Sequence, residues 1–118
     1  MIQLGDFQLH LINDCKVMMD AGGAFGLVPR ALWSPVFVPP TDDNLVPFVQ
    51  HNLYVRAHGR NIVIDTGYGD KLTEKQRAIF RHERHNGGLL GGLARLGLTA
   101  ADIDLVIDTH LHNDHCAG

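Results

Sequence analysis

Four side chains of the types that bind metal ions stand close together near the end of the chain. They are His110, His112, Asp114 and His115, and they follow residues 103–108, a short apolar-rich segment that predicts a buried strand. If the chain stays extended past this strand, His110 and His112 project to the same side and can bind one ion. Asp114 and His115 then lie on the following turn, where a bend can direct them at a second ion. Imidazole and carboxylate ligands suit zinc, iron or manganese.

The last ten residues, T-H-L-H-N-D-H-C-A-G, resemble the metal-binding signature of the metallo-β-lactamase superfamily. Residues 96–108 and 61–67 sit where that superfamily has its lead-in from helix to strand and its D-T-G loop. Residues 21–30 resemble the branch that contains lactonases and related ester hydrolases. The resemblance implies an α/β fold, the α/β/β/α sandwich, in which two sheets lie face to face with helices outside.

The resemblance also implies a role for each residue of the site. By matching positions, His110 and His112 would bind the first of two zinc ions, and Asp114 and His115 would bind the second. Asp65 of the D-T-G loop would lie near the metal loop as a supporting residue. Asp114 is also the candidate catalytic residue, as the carrier of a proton for the leaving group.

The number of ligands indicates a partial domain. Two catalytic ions need about six protein ligands, or about five if one ligand bridges them, and this run offers four. The superfamily supplies the others from positions that would lie beyond Gly118. We therefore expect residues 1–118 to be the N-terminal half of the sandwich, inactive on its own, with an apolar sheet face left exposed.

The chemistry of the complete site follows from its metal. A bound divalent ion lowers the pKa of its water from about 15.7 to about 7. The leading hypothesis is a dinuclear zinc hydrolase that attacks an ester, a lactone or a comparable small molecule through a metal-bound hydroxide, with iron or manganese open as replacements. The same signature supports thioester hydrolysis, oxygen chemistry at a single iron and nuclease action. The alternative without catalysis is a metal-binding or assembly module that completes its site with a partner chain.

Composition and charge narrow the range of partners. The net charge is −3, from 10 basic and 13 acidic residues without a block of like charges, which argues against nucleic acid. No run reaches the roughly 18 apolar residues of a membrane span, and the first 20 residues lack the pattern of a secretion signal. We expect a cytoplasmic protein that acts on a small molecule, with a homo-oligomer left open.

The cysteines and the other histidines are expected to have structural roles. Cys15 is predicted to be a small buried residue, and Cys116 is not needed as a ligand because the neighbouring donors already suit zinc. His51 falls on the apolar face of a predicted strand and is interpreted as a core histidine. His82 and His85 stand among charged residues, which predicts a solvated surface.

Alternation and turn residues predict the strands. They are expected over residues 1–4, 7–13, 48–57 and 61–65, with residues 16–19 as an extension of the second. Between them, residues 21–47 predict a packed loop with a short helix near residues 30–34. Two readings of the apolar side chains in this loop stay open, contact with substrate or attachment of the loop to the core; the residues concerned are Phe25, Leu27 and Trp33.

Capping signals predict the helices. One helix is expected from Lys71 to about Glu83, with Asp70 as its cap. A short helix through Leu96 is expected to stop at Gly97. Thr99 with Asp102 resembles a capping box that opens one turn before the final strand.

Overall fold

A mixed sheet of six strands carries the candidate metal-binding run at one end. The structure, a computed structural model, describes residues 1–118. Its strands are β1 (Ile2–Leu4), β2 (Phe7–Asp20), β3 (Leu45–Ala57), β4 (Arg60–Ile64), β5 (Glu83–Arg84) and β6 (Leu105–Ile107). Its helices are α1 (Ala21–Phe25), α2 (Arg30–Trp33), α3 (Glu74–Ile79), α4 (Gly88–Arg95) and α5 (Asn113–Cys116), and a 3₁₀ turn covers Ala100–Asp102. The predicted α/β class is confirmed.

The order of the strands brings the two halves of the site together. Neighbours run β1-β2-β3-β4-β6, and β5 pairs separately with β2. Only β4 and β6 are parallel; the other pairs are antiparallel. Because parallel strands end at the same edge of a sheet, the residues after β4 and those after β6 lie side by side. Asp65 follows β4, and the histidine run follows β6.

The long second strand contains one irregularity. β2 pairs with β3 over almost its whole length, so residues 16–19 continue the strand as predicted. The register shifts between Asn13 and Cys15, which leaves Asp14 as the extra residue of a β-bulge. A bulge turns a side chain away from regular alternation, and the side chain of Asp14 is buried on the helix side of the sheet.

The hairpin of β3 and β4 is confirmed. Its two turn residues, His58 and Gly59, both have positive φ, 50° and 77°. Left-handed conformations at both positions are those of the type I′ turn, whose twist matches that of the strands it joins.

One face of the sheet is covered by α4. Leu93 of this helix packs with Ile12, Tyr54 and Val63 in a buried cluster. A Cβ atom on Gly92 would lie 2.2 Å from the Ile12 side chain, so glycine allows the helix to approach the sheet this closely. The chain after the helix reverses at Gly97 (φ 76°), as predicted. The capping box of Thr99 and Asp102 is also confirmed.

The other face of the sheet is apolar and uncovered, as predicted. Several of its side chains are strongly exposed, with 65% exposure for Leu4 and 43% for Ile107. They line an open groove formed by Leu4, Phe7, Leu9, Leu53, Val55, Ile62, Ile64 and Ile107. A sheet with helices on one face and an apolar second face corresponds to two adjacent layers of the predicted four-layer sandwich.

The predicted packed loop contains two short helices instead of one. Asp20 caps α1 by accepting a hydrogen bond of 2.7 Å from the amide of Gly22. Phe25 stacks on the buried Trp33, with 4.3 Å between the ring centroids, and both pack near the end of the sheet. Leu27 is fully exposed. Attachment of the loop to the core is therefore the observed role of Phe25 and Trp33.

The helix predicted to begin after Asp70 is shorter and begins later. Thr73 caps α3 through a capping box with Gln76, so the cap lies three residues after Asp70. Asp70 instead forms an ion pair with Arg84. No helix of the structure has the length and apolar character needed to cross a membrane.

Three predictions of burial are wrong. His51 is exposed, because the neighbouring Asn52 and Tyr54 face α4 and His51 faces the uncovered side. His82 is half-buried against the ring of Tyr68, since β5 pairs with β2 and draws the segment onto the sheet. The strand within residues 103–108 forms as β6, yet its side chains are 42–49% exposed, because β6 is the edge strand and Ile107 also lies on the uncovered apolar face.

Candidate metal centre

Asp65 anchors the chain where it leaves β6. Its backbone amide donates to the carbonyl of Ile107 (2.9 Å), which extends the pairing of β4 and β6 by one residue. Its carboxylate Oδ1 accepts hydrogen bonds from the amide (2.8 Å) and the hydroxyl (2.9 Å) of Thr109. Asp65 has φ 59°, a left-handed conformation that aspartate tolerates better than most residues. The start of the histidine run is therefore fixed by a residue 44 positions earlier in the chain.

The loop after Asp65 holds the short helix α5. The amide of Thr66 donates to the carbonyl of His115 (2.6 Å), and the amide of Ala117 donates to the carbonyl of Gly67 (3.1 Å). The hydroxyl of Thr66 accepts from the amide of Gly118 (3.1 Å). These bonds place α5, which carries Asp114 and His115, directly on the D-T-G loop.

All four predicted ligand side chains lie in one patch. The ring centroid of His110 is 4.8 Å from that of His112 and 4.0 Å from that of His115. The carboxylate Oδ2 of Asp114 lies 3.3 Å from Nε2 of His115. His110 and His112 come from the segment between β6 and α5, whereas Asp114 and His115 come from α5, the division that the spacing predicts.

Hydrogen bonds assign the tautomers of two of these histidines. Nδ1 of His115 lies 2.8 Å from Oδ2 of Asp65. A carboxylate accepts, so Nδ1 carries a proton. Nε2, which lies 3.3 Å from Oδ2 of Asp114, becomes available to a metal when that contact is given up. Nδ1 of His110 lies 3.1 Å from the hydroxyl of Thr109, whose own proton goes to Asp65. We therefore assign the proton of His110 to Nδ1 as well, which leaves its Nε2 free for a metal.

The charge of Asp65 is stabilised by these contacts. Burial alone would raise its pKa, but the hydrogen bonds from His115 and from the amide and hydroxyl of Thr109 hold the pKa below its usual value. Asp65 is 8% exposed and ionised at neutral pH, so it acts as a fixed acceptor beneath the imidazole of His115.

The four side chains are of types that bind zinc, but their arrangement in the structure is not that of a complete metal site. Three imidazoles and one carboxylate are ligands that zinc accepts, and two of the imidazoles present Nε2. No group of three or more His, Cys, Asp or Glu side chains is arranged to hold an ion. One reason is visible, since Nε2 of His115 faces the carboxylate of Asp114. The ligand roles of the four residues stay a prediction.

The two cysteines lie outside this donor set. Cys15 is completely buried beside Tyr68, and burial together with the charge of Asp14 raises the pKa of its thiol to about 12. Cys116 is a half-buried free thiol whose backbone forms an isolated bridge with Gly67. The structure thus confirms the predicted burial of Cys15.

Sequence reasoning missed Thr109 and Asp14. Thr109 stands between the strand and the first histidine, a position from which a hydroxyl can bond to a residue at the neighbouring strand end. Asp14 had no local signal, because a bulge in the middle of a long strand is set by its pairing with the adjacent strand.

The chain is similar in sequence and structure to several hydrolases. The sequence model of the metallo-beta-lactamase superfamily matches residues 45–118. A probable metal-dependent hydrolase from Staphylococcus aureus is 36% identical, with a TM-score of 0.88 over 99% of this chain and 42% of that chain. The dizinc quorum-quenching lactonase AidC is 23% identical, with a TM-score of 0.73 over 99% of this chain and 37% of that chain. The hydrolase AbOPH is 20% identical, with a TM-score of 0.72 over 97% and 36%. The chain therefore spans about two fifths of the length of these proteins.

Proposed function

Because this chain belongs to the metallo-β-lactamase superfamily, we propose that the full-length protein is a dinuclear zinc hydrolase of an ester, a lactone or a similar small molecule. The observation that carries the proposal is the patch of His110, His112, Asp114 and His115 against the buried carboxylate of Asp65. The 36% identity to a probable metal-dependent hydrolase supports the same class of reaction. The dizinc lactonase with the same fold makes lactones the first substrates to test.

The residues of this chain would supply part of the metal site. His110 and His112 would hold one ion, and Asp114 and His115 the other. Zinc, when bound, lowers the pKa of a coordinated water to about 7 and so provides a hydroxide nucleophile at neutral pH.

Around that site, the protein's own groups orient the ligands. Asp65 holds the Nδ1 proton of His115 and keeps the imidazole in one orientation, and it holds Thr109 at the same time. A carboxylate in this position fixes the tautomer and increases the basicity of the ligand. Asp114 lies at the surface of the patch, half-buried, where its carboxylate can receive a proton and pass it to a leaving group.

The test is to measure metal content and hydrolysis with the full-length protein. We expect zinc to copurify and to support turnover of a simple lactone or an aryl ester, and removal of zinc by a chelator to abolish that turnover. Thioester cleavage without lactone cleavage would change the substrate class. Iron with oxygen uptake would replace the hydrolase by a dioxygenase, and metal binding without turnover of any of these compounds would favour a metal-binding module.

A further inference from the structure

The carboxylate of Asp14 is buried below the candidate metal centre. Asp14 is the extra residue of the bulge in β2, and it is 1% exposed. Removing a carboxylate from water is costly unless the structure provides partners for it. The groups in contact with Asp14 belong to three separate segments of the chain, and two of these segments connect to the loop of residues 66–70.

The first two partners are α4 and Arg84. Oδ1 of Asp14 accepts a hydrogen bond of 3.0 Å from the amide of Leu89, in the first turn of α4. The same oxygen lies 4.0 Å from Nη2 of Arg84, in β5. The guanidinium of Arg84 also donates to the carbonyl of Gly69 and to the carboxylate of Asp70. Arg84 therefore links the buried carboxylate to residues 69 and 70, which follow the D-T-G loop.

The third contact of Asp14 is a packing contact with the backbone of Gly67, which forms no hydrogen bond with Oδ2. A Cβ atom on Gly67 would lie 2.5 Å from Oδ2 of Asp14, so the carboxylate packs directly against this residue. Gly67 has φ 72°, which also favours glycine. On its other side, the carbonyl of Gly67 accepts from the amide of Ala117, and the preceding Thr66 donates to the carbonyl of His115. A single layer of backbone thus separates Asp14 from α5.

We propose that Asp14 is a positioning residue of the metal centre, acting with Arg84 to fix the loop of residues 66–70 and, through it, the helix α5 that carries Asp114 and His115. This inference rests on the proposed metal site. Asp14 does not touch the ligands. It acts through Gly67, and the position of α5 decides where the second pair of ligands stands.

Asp14→Asn removes the negative charge of this side chain while keeping its size and shape. Oδ2 accepts no hydrogen bond within the chain, and an asparagine oxygen can keep the bond from Leu89, so the substitution removes the interaction with Arg84 without leaving a gap. Asp43→Asn is the matched control, because Asp43 pairs with Arg81 on the exposed surface, away from the D-T-G loop.

Two measurements on the full-length protein test the proposal. Zinc affinity is measured by competition with a chromophoric chelator, and the geometry of the site is followed by the visible absorption of the cobalt-substituted protein. We expect Asp14→Asn to weaken zinc binding about tenfold, the lower end for residues that orient ligands, and to shift the cobalt spectrum. Asp43→Asn is expected to match the wild type in both.

A second variant keeps the test decisive if Asp14→Asn does not fold. Arg84→Lys keeps the charge at a partly exposed position and removes the forked contacts to Gly69 and Asp70. Arg84→Lys should shift the absorption spectrum of the cobalt-substituted protein in the same direction as Asp14→Asn does. A folded Asp14→Asn or Arg84→Lys protein with wild-type affinity and spectrum would overturn the proposal, as would equal losses in Asp43→Asn.

The outcome is separable from that of the proposed function. Zinc binding that depends on Asp14 in a protein without hydrolase activity would remove the proposed reaction and leave the positioning role intact. If the protein is a zinc hydrolase but its metal affinity and cobalt spectrum do not change in the Asp14 and Arg84 variants, the proposed reaction stands and the positioning role is removed.

Discussion

Asp65 and His115 are in contact across the site, with 2.8 Å between Oδ2 of the carboxylate and Nδ1 of the imidazole. The two residues come from different strand ends, β4 and β6, which meet because these strands are parallel. The contact joins the D-T-G loop to the histidine run and fixes the orientation of the His115 imidazole.

Asp65→Asn should weaken zinc binding while the fold persists. Asparagine tolerates the left-handed backbone of this position and can still accept from Thr109. Its neutral amide cannot replace the carboxylate that holds His115, so we expect a loss of zinc affinity of about tenfold to a hundredfold. Competition with a chelator measures it.

The matched control for this substitution is Asp104→Asn. Asp104 accepts a hydrogen bond of 2.7 Å from the amide of Asn61, between the same two strands but at their opposite ends. This variant should lose stability without losing zinc affinity. Equal zinc affinity in the wild type and Asp65→Asn would show that Asp65 does not orient a ligand.

His112→Ala should abolish metal retention and activity together. His112 is the residue that precedes α5, and its ring lies 4.8 Å from that of His110, with which it would bind the same ion. We expect the zinc content to fall and turnover to reach the background rate. His85→Ala removes an exposed histidine outside the candidate site and should change neither. If His112→Ala retains turnover, His112 is not a metal ligand.

The sequence predicted the residues of the candidate metal centre better than it predicted the residues that support them. Four ligand types at close spacing after an apolar segment are visible in the sequence, and the structure brings them together. Thr73 caps α3 in place of Asp70, and Asp70 instead pairs with Arg84, a contact between distant residues that local pattern does not show. Asp14 could not be anticipated, since its burial depends on a bulge and on Gly67, which stands 53 residues further along. Long-range pairing, not local pattern, determines such features.

The stability of the protein should depend on His82 in mildly acidic solution. Burial lowers the pKa of His82 below its ordinary value of 6.5, and Arg84 and Arg77 lower it further. The unfolded chain then binds a proton more readily than the folded one. The contribution of His82 to the free energy of unfolding is therefore complete above pH 6.5 and decreases as the pH falls from 6.5 toward the pKa of the folded state.

His82→Gln tests this dependence. The free energy of unfolding, measured with denaturant on either side of that range, should change less with pH in His82→Gln than in the wild type. His85→Gln replaces an exposed histidine three residues away and should retain the wild-type dependence. A slope that is the same in all three proteins would contradict the burial of His82.

A comparison of two glycines separates backbone strain from contact with Asp14. Gly67 and Gly59 have almost the same φ, 72° and 77°, so alanine is strained at either position. A Cβ atom on Gly59 would meet nothing within 4 Å, whereas one on Gly67 would lie 2.5 Å from Oδ2 of Asp14. Gly59→Ala should cost about 1–2 kcal/mol from its left-handed conformation alone. Gly67→Ala should cost about 1–3 kcal/mol more, the range for overpacking a filled site.

The effect on the metal should differ as well. Gly67 bonds to Ala117, so its displacement moves α5, and zinc affinity should fall in Gly67→Ala but not in Gly59→Ala. Denaturant unfolding and chelator competition measure the two quantities on the same samples. If Gly67→Ala loses no more stability than Gly59→Ala, the carboxylate of Asp14 is not in close contact with Gly67. If it loses stability but binds zinc normally, the loop can move without moving α5, because the bonds from Thr66 to His115 alone would then hold the helix in place.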